Sequence, residues 1–453
     1  MHKTVVINAV GITPSLIGES TPTIRALVDR GRLATIREVI PAVTCSAQTT
    51  YLTGKRPNEH GIVGNGWYFR DTCEVRFWHQ SNKLVQSPFI WDEARRLDPS
   101  FTVANICWWY AMHSGCDYTV TPRPMYLADG RKVPDCWTHP ASLRDELQSK
   151  LGPFPLFKFW GPMTSIASTR WIVDAAIEVD RRFGPTLSLI YLPHLDYNLQ
   201  RHSADITADL REIDGQIKRL VQSFQKSHTR IVILSEYGIS SVNKPIHLNR
   251  LLRQSGLIAI REEQGRELLD AGASKAFAVV DHQVAHVYVN DESILDSTAK
   301  LIGAAPGVGS VYVRAERKEI GLDHDRAGDI VVLAEAGSWF TYYYWLDDAI
   351  APDFARTIDI HRKPGYDPAE LFIDSNLRFP KLRIAAKLLA RKLGFRALLD
   401  LTPLDATLVK GSHGIPASSR EYRPVIIGDA KLIDRDEIDA TEVYSILMAH
   451  LTR

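Results

Sequence analysis

Two residues, Thr44 and Asn65, carry the clearest chemistry in this 453-residue sequence, standing 65 − 44 = 21 positions apart. Thr44 lies in Pro41-Ala42-Val43-Thr44-Cys45-Ser46-Ala47-Gln48-Thr49-Thr50-Tyr51-Leu52-Thr53-Gly54, and Asn65 closes His60-Gly61-Ile62-Val63-Gly64-Asn65. A threonine hydroxyl is a poor nucleophile at neutral pH and needs a base or a metal to become an alkoxide. At a helix N-terminus, free backbone N–H groups and a partial positive charge also favour a phosphate there. An amide side chain nearby supplies a preorganised donor where charge gathers in the transition state. Taken singly, Thr44 serves as well for a helix N-cap and Asn65 for a turn residue. The run around them favours the chemical reading.

Short apolar runs alternating with helical patterns predict an α/β sheet with helices on both faces. Val5-Val6-Ile7, Leu187 to Leu192, Arg230 to Leu234 and Asp329 to Leu333 read as buried strands. Helices are expected over Ile24 to Arg30, Ile172 to Arg182 and Ile206 to Phe224. Polar clusters follow the strands ending at Leu192 and Leu234, where ligands of open α/β sheets bind. The stretch of about 66–161 is rich in aromatics and prolines and reads as an inserted cap. A second insert, about 338–404, carries Trp339 to Trp345 and a basic helix. The whole chain, 1–453, is otherwise read as one catalytic domain.

The Thr44 run and the His60–Asn65 run together resemble the nucleophile segment of type I phosphodiesterases and nucleotide pyrophosphatases, in the alkaline phosphatase superfamily. The resemblance implies an alkaline-phosphatase-like central sheet and two metal ions. Family ligands are a first-strand aspartate, the threonine, Asp-x-x-x-His, an Asp-His pair and G-x-H-G. Here the last is Gly411-Ser412-His413-Gly414, the Asp-x-x-x-His becomes Asp196 to Gln200, and the pair becomes Glu236-Tyr237. Val10 replaces the first aspartate, and Asn8, on the same strand face, reaches the same place. Carried over residue by residue, the shell is Asn8, Thr44, Glu236 and Tyr237 for one ion, and Asp196, Gln200 and His413 for the other. Two divalent ions about 4 Å apart need anionic ligands, and only Glu236, Asp196 and a Thr44 alkoxide supply them unless Tyr237 ionises. The resemblance implies zinc, whereas the oxygen-rich shell favours manganese, magnesium or calcium; one or two ions are expected.

The expected activity is a metal-dependent phosphodiesterase or pyrophosphatase-like hydrolysis of a small phosphorylated or phosphonate metabolite through a phosphothreonine intermediate. The substituted ligands leave open an inactive or repurposed member that binds an anionic metabolite. No C-x-P-x-R follows Cys45, so a sulfatase-type nucleophile is set aside and Cys45 is assigned to the core. Arg123, Trp108 and Tyr126 of the cap are candidates for substrate binding, and Arg362 and Lys363 for the rim. His202, His282 and His286 are possible auxiliary ligands; on a strand, His282 and His286 would share one face and Asp281 the other.

A net charge of +1, with 45% hydrophobic residues, fits a globular protein and gives no case for nucleic acid. Five cysteines without close pairing, no signal-peptide pattern at the start and no run of transmembrane length lead to a cytoplasmic expectation. From Lys381 to Asp400, Arg383, Lys387 and Arg391 at i+4 spacing, with Lys392 and Arg396 beside them, oppose Leu382, Ala385, Leu389 and Leu393. Such a basic stripe is ordinarily a solvated face, and peripheral membrane contact is the less favoured reading.

Overall fold

A strand buried on both faces has to be apolar at successive positions. Thr4–Ala9 (β1) meets that demand, with every residue buried. Val5, Val6 and Ile7 are wholly shielded, each contributing about 1.5–3 kcal/mol relative to exposure. The computed structural model describes every residue except Ser203, Ala204 and Arg396, and all side chains of those residues except that of Arg391. The strands that follow are β2 (Arg32–Arg37), β3 (Val103–Ile106), β4 (Tyr118–Pro122), β5 (Cys136–His139), β6 (Leu187–Leu192) and β7 (Arg230–Leu234). A second sheet takes β8 (Ala276–Asp281), β9 (Val284–Val289), β10 (Val308–Val313) and β11 (Ile330–Ala334), after which β12 (Val425–Gly428) and β13 (Glu437–Asp439) return to the first.

The central sheet has nine strands in the order β13-β2-β12-β7-β1-β6-β3-β4-β5. The run β7-β1-β6-β3-β4 is parallel, and β12 and β5 pair antiparallel at its flanks. Register sets Asn8 beside Tyr191 and Leu234, so the C-terminal ends of β1, β6 and β7 open on one edge. Helices α1 (Pro22–Arg30), α2 (Thr44–Thr53), α3 (Ile166–Phe183), α4 (His194–Arg201), α5 (Thr207–Gln225), α6 (Pro380–Lys392) and α7 (Glu442–Thr452) connect or flank the strands. One packed group contains α1, α3 and α5, and α2 packs on α7. Among the described residues no helix is long and apolar enough to cross a membrane.

The stretch 66–161 departs from the expected inserted cap, because it contributes β3, β4 and β5 to the central sheet. Val103–Ile106 is buried throughout, and such a short apolar run is easily masked by the aromatics around it. What lines the site from this stretch is Trp78, just past the ribbon of Gly66–Phe69 with Glu74–Phe77, together with the loops on either side of β4 and Leu156, Phe159 and Trp160. The strand read at Asp329–Leu333 belongs to the second, antiparallel sheet, order β8-β9-β11-β10. The aromatic run of the 338–404 stretch fills a separate core around that sheet, with Trp339, Phe340, Tyr342 and Trp345 among its members.

Lys363 is a second departure, since it is not on a rim. Its ammonium is buried and bonds Asp367 at 2.6 Å and Glu370 at 2.8 Å. Glu370 also accepts the Trp160 indole N–H at 2.5 Å, so this triad ties the chamber wall to the second core. Removing one partner of a buried ion set strands the others and costs about 3–5 kcal/mol. Lys363→Ala is expected to lower unfolding free energy by that amount in urea; a loss within the ±0.5 kcal/mol usual for surface changes would contradict the triad's role.

Candidate active site

Helix α2 is buried along its whole length, although Thr-Cys-Ser-Ala-Gln-Thr-Thr-Tyr-Leu-Thr has modest helix propensity. Two of its hydroxyls are satisfied within the helix, Thr49 and Thr53 each donating to the carbonyl four residues back at 2.7 Å. Gly54, at φ 67°, ends the helix in the left-handed conformation that glycine accepts without strain. This places Thr44 in the first turn, against the edge where β1, β6 and β7 end. The turn between β8 and β9 and the loop Gly411–Gly414 close the other sides.

Thr44 Oγ1 lies 3.0 Å from the Tyr237 hydroxyl, which donates to Asp196 Oδ1 at 3.4 Å. Asn65 Oδ1 accepts the Cys45 N–H at 3.0 Å, satisfying one free donor of the α2 N-terminus. Asp281 fixes Asn65 in turn, accepting from its backbone N–H at 2.7 Å and its amide at 3.1 Å. Glu236 Oε1 receives two amide donors, Asn8 Nδ2 and Gln48 Nε2, each at 2.5 Å. The Gln48 carbonyl oxygen then accepts the Trp109 N–H at 2.6 Å.

Four rings form a pile beside these groups. Tyr237 stacks on His413 at 3.6 Å, His413 lies 3.7 Å from His282, and His282 stacks on Tyr366 at 3.7 Å. Burial governs the protonation of the cluster. It pushes the carboxyls of Glu236 up to about 8, Asp196 to about 7 and Asp281 to about 6. The same desolvation holds His282 and His413 well below the ordinary imidazole value, so both rings are neutral near pH 7. It also keeps the Tyr237 phenol protonated.

A narrow chamber of about 120 Å³ is lined by Thr44, Asn65, Asp196, Tyr237, His282 and His413. Its other walls are largely aromatic, including Trp78, Trp109, Trp160, Tyr191 and Tyr366, and no Lys or Arg lines it among the described residues. It shares Trp78, Gln80, Tyr126 and His361 with an outer cavity of about 1170 Å³ that carries Arg76, Arg123, Lys132 and Arg362. The inner space alone is smaller than a usual ligand site, and the pair together is ample.

The structure brings Asn8, Thr44, Asn65, Asp196, Glu236, Tyr237 and His413 to one place, with Gln200 behind, its Oε1 accepting from Tyr366 at 3.1 Å. Tyr126 lines both cavities, and Arg123 stands in the outer one, its guanidinium 5.8 Å from the Tyr126 ring and bonded to Gln80. Trp108 does not join them: it is wholly buried in the main core, and its neighbour Trp109 lines the chamber instead. His282 and His286 do not share a strand face. β8 ends at Asp281, and His282 sits in the tight turn at φ 61°, facing the chamber, while His286 bonds the Val63 carbonyl in the interior. His202 is exposed at the end of α4. The unforeseen participants are Asp281 as a positioning group and Gln48. The latter was readable, because Thr44 and Gln48 stand at i and i+4 on one helix.

A metal fits one half of the expected shell. Asn8 Oδ1 and Glu236 Oε2 are buried oxygens without a hydrogen-bond partner, on side chains beside Thr44, and suit a hard cation. The other half does not fit: the Gln200 oxygen is taken, its orphaned atom is the Nε2 donor, and His413 is sandwiched between rings. Among the described residues, the group of three His and carboxylate side chains at ligand spacing is His194, Asp209 and Glu212, outside the chamber.

The family described as type I phosphodiesterase / nucleotide pyrophosphatase matches residues 4–367. Over 278 residues the chain is 27% identical to ectonucleotide pyrophosphatase/phosphodiesterase 1 of Saccharomyces cerevisiae, covering 53% of this chain and 34% of that protein. The chain thus spans about a third of the curated relative's length. Among solved structures, phosphonoacetate hydrolase of Sinorhizobium meliloti 1021 in complex with phosphonoacetate superposes with a TM-score of 0.61 at 16% identity, covering 99% of this chain and 96% of that one. Inactive murine ectonucleotide pyrophosphatase/phosphodiesterase 5 in complex with AMP superposes with a TM-score of 0.59 at 14% identity, over 100% and 95%. These likenesses establish the fold as that of alkaline-phosphatase-like proteins.

Glu38 supports the loop that carries His413, accepting the Ala417 N–H at 3.1 Å, and burial raises its carboxyl to about 7. A carboxyl with a raised folded pKa binds its proton more tightly folded than unfolded. Its stabilising contribution is therefore complete below pH 4 and is lost as pH rises towards 7. Glu38→Gln is expected to flatten the fall in melting temperature between pH 4.5 and pH 7 relative to the parent. Parallel curves for the two proteins would contradict this assignment.

Proposed function

The chain belongs to the type I phosphodiesterase / nucleotide pyrophosphatase family, and from that premise we propose that it hydrolyses phosphoric or phosphonic esters with Thr44 as the nucleophile. The observation that carries this reading is the file Thr44–Tyr237–Asp196 at the first turn of α2. Tyr237 donates to Asp196, so the Thr44 hydroxyl is free to donate to Tyr237. Its proton passes to Tyr237 as the phenol proton passes to Asp196. With its carboxyl near 7, Asp196 is matched to accept that proton at neutral pH.

The Thr44 oxygen then forms a bond to phosphorus, and the bond from phosphorus to the leaving oxygen breaks. The leaving group departs towards the outer cavity and takes a proton from water there. Asn65, clamped by Asp281, offers its remaining amide hydrogen to a phosphoryl oxygen. In a second step a water oxygen bonds to phosphorus as the bond from phosphorus to the Thr44 oxygen breaks; the water proton goes to solvent, and the proton held on Asp196 returns through Tyr237 to the departing Thr44 oxygen. A hard divalent cation held by Asn8, Glu236 and Thr44 would supply the positive charge that the chamber's side chains lack. The aromatic walls suit an ester with a flat ring, and Arg123 with Tyr126 suits an anionic portion in the outer cavity.

A second reading is supported by the ring pile and the missing Lys and Arg: a chamber that binds a flat metabolite without turning it over. Bis(4-nitrophenyl) phosphate separates the two. The parent is expected to release nitrophenol, and Thr44→Ala to lower kcat by at least about 10³-fold. Binding of the probe by the parent without release would favour the second reading, and equal rates in the two proteins would exclude Thr44 as nucleophile.

The cation is tested apart from turnover. Manganese or magnesium at saturating concentration is expected to raise the parent's melting temperature through mass action, and to leave Glu236→Gln unmoved. Equal shifts in both proteins would place the ion elsewhere, with His194, Asp209 and Glu212 the first candidates.

A further inference from the structure

Helix α6 leaves its apolar stripe uncovered. A helix on a globular body ordinarily turns that stripe inward, but here the leucines are exposed, as are Lys381, Arg383 and Lys392. Arg383 bonds Asp400 at 2.8 Å, and Lys387 pairs with the same carboxylate and with the Leu398 carbonyl. Pro380, Ile384, Lys387 and Ala390 are its partly covered positions, and no described side chain of the helix is buried. The opposite face, Leu382, Ala386, Leu389 and Leu393 at helical spacing, looks away from the molecule. Phe379, Leu382, Leu388, Leu389, Leu393 and Phe395 are each between 51% and 76% exposed, the densest such concentration among the described residues.

We propose that α6 and its flanking residues are a docking surface for an anionic lipid bilayer. Leucine and phenylalanine on one face with lysines beside it are the composition of helices that lie in a membrane interface. At 13 residues, α6 is about 20 Å long, too short to span a bilayer. Lys381 and Lys392 border the stripe and are exposed. From Leu377 to Asp400 the sequence holds seven Lys and Arg against one carboxylate, while the whole chain carries +1. That local charge selects the occupant. Two copies meeting through this face would set like charges against each other, whereas anionic headgroups complement them.

The same segment forms the mouth of the outer cavity, which Lys392, Gly394, Phe395 and Leu398 line. Docking through α6 therefore sets the entrance of the cavity pair at the lipid surface. The docking itself does not depend on the chemistry assigned to Thr44.

Sedimentation of the full chain with vesicles decides the matter. The parent is expected to pellet with vesicles of equal parts phosphatidylserine and phosphatidylcholine, and far less with phosphatidylcholine alone. Leu389→Glu/Leu393→Glu, both at exposed positions, is expected to lose binding by at least about tenfold with an unchanged melting curve. Lys381→Glu/Lys392→Glu is expected to lose the preference for phosphatidylserine, and salt to weaken the parent's binding. Absence of parent binding, or equal binding by the leucine variant, would overturn the proposal. So would a dimer that the leucine variant abolishes, without vesicle binding by the parent.

Discussion

Glu236 is where the central sheet, the Thr44 helix and the covering segment meet. It follows β7, yet its carboxyl draws in an amide from β1 through Asn8 and one from α2 through Gln48, and Gln48 holds Trp109 by its other end. A carboxyl buried this deeply is stable only if hydrogen-bonded, ion-paired or protonated. The protein side supplies uncharged donors, and burial raises the pKa to about 8 despite them, with the nearby Asp196 carboxyl adding to the rise. The side chains around it are therefore arranged by one unmet demand, which a proton or a cation satisfies.

The ring pile does not relieve this shortage. With Tyr237 following Glu236, a flat phenol lies on His413, and His282 and Tyr366 continue the stack. Stacked, desolvated imidazoles stay neutral and add no positive charge. The Tyr237 hydroxyl remains polar and spans Thr44 and Asp196. In the proposed mechanism this hydroxyl is the path by which the Thr44 proton reaches Asp196. The outer cavity keeps its cations at a distance, several of them already paired with Asp129, Asp353 or Asp359.

At the outer cavity, α6 obeys a different constraint. Asp400 pairs with Arg383 and Lys387, and no packing covers the leucines. The expectation of a solvated basic face holds for Lys381, Arg383 and Lys392, which are exposed, and the leucines of the other face are exposed as well. Of the basic residues on which it rested, Arg396 and the Arg391 side chain lie outside the described residues.

The local sequence determined the parts whose signal is short-ranged: the apolar strands β1, β6 and β7, the helices α1, α3 and α5, and the runs around Thr44 and Asn65. Fixed spacing and apolar continuity carry those features without reference to partners. Only the tertiary structure decided that Trp109 rather than Trp108 faces the chamber, that His282 leaves its strand at a turn, that Lys363 is buried, and that 66–161 shares the central sheet. Each of these depends on packing between elements that no local window of the sequence contains, as where Trp109 meets Gln48, 61 positions away. Aromatic content, strand alternation and charge give the kind of side chain present; burial and register, which are long-range, give its direction.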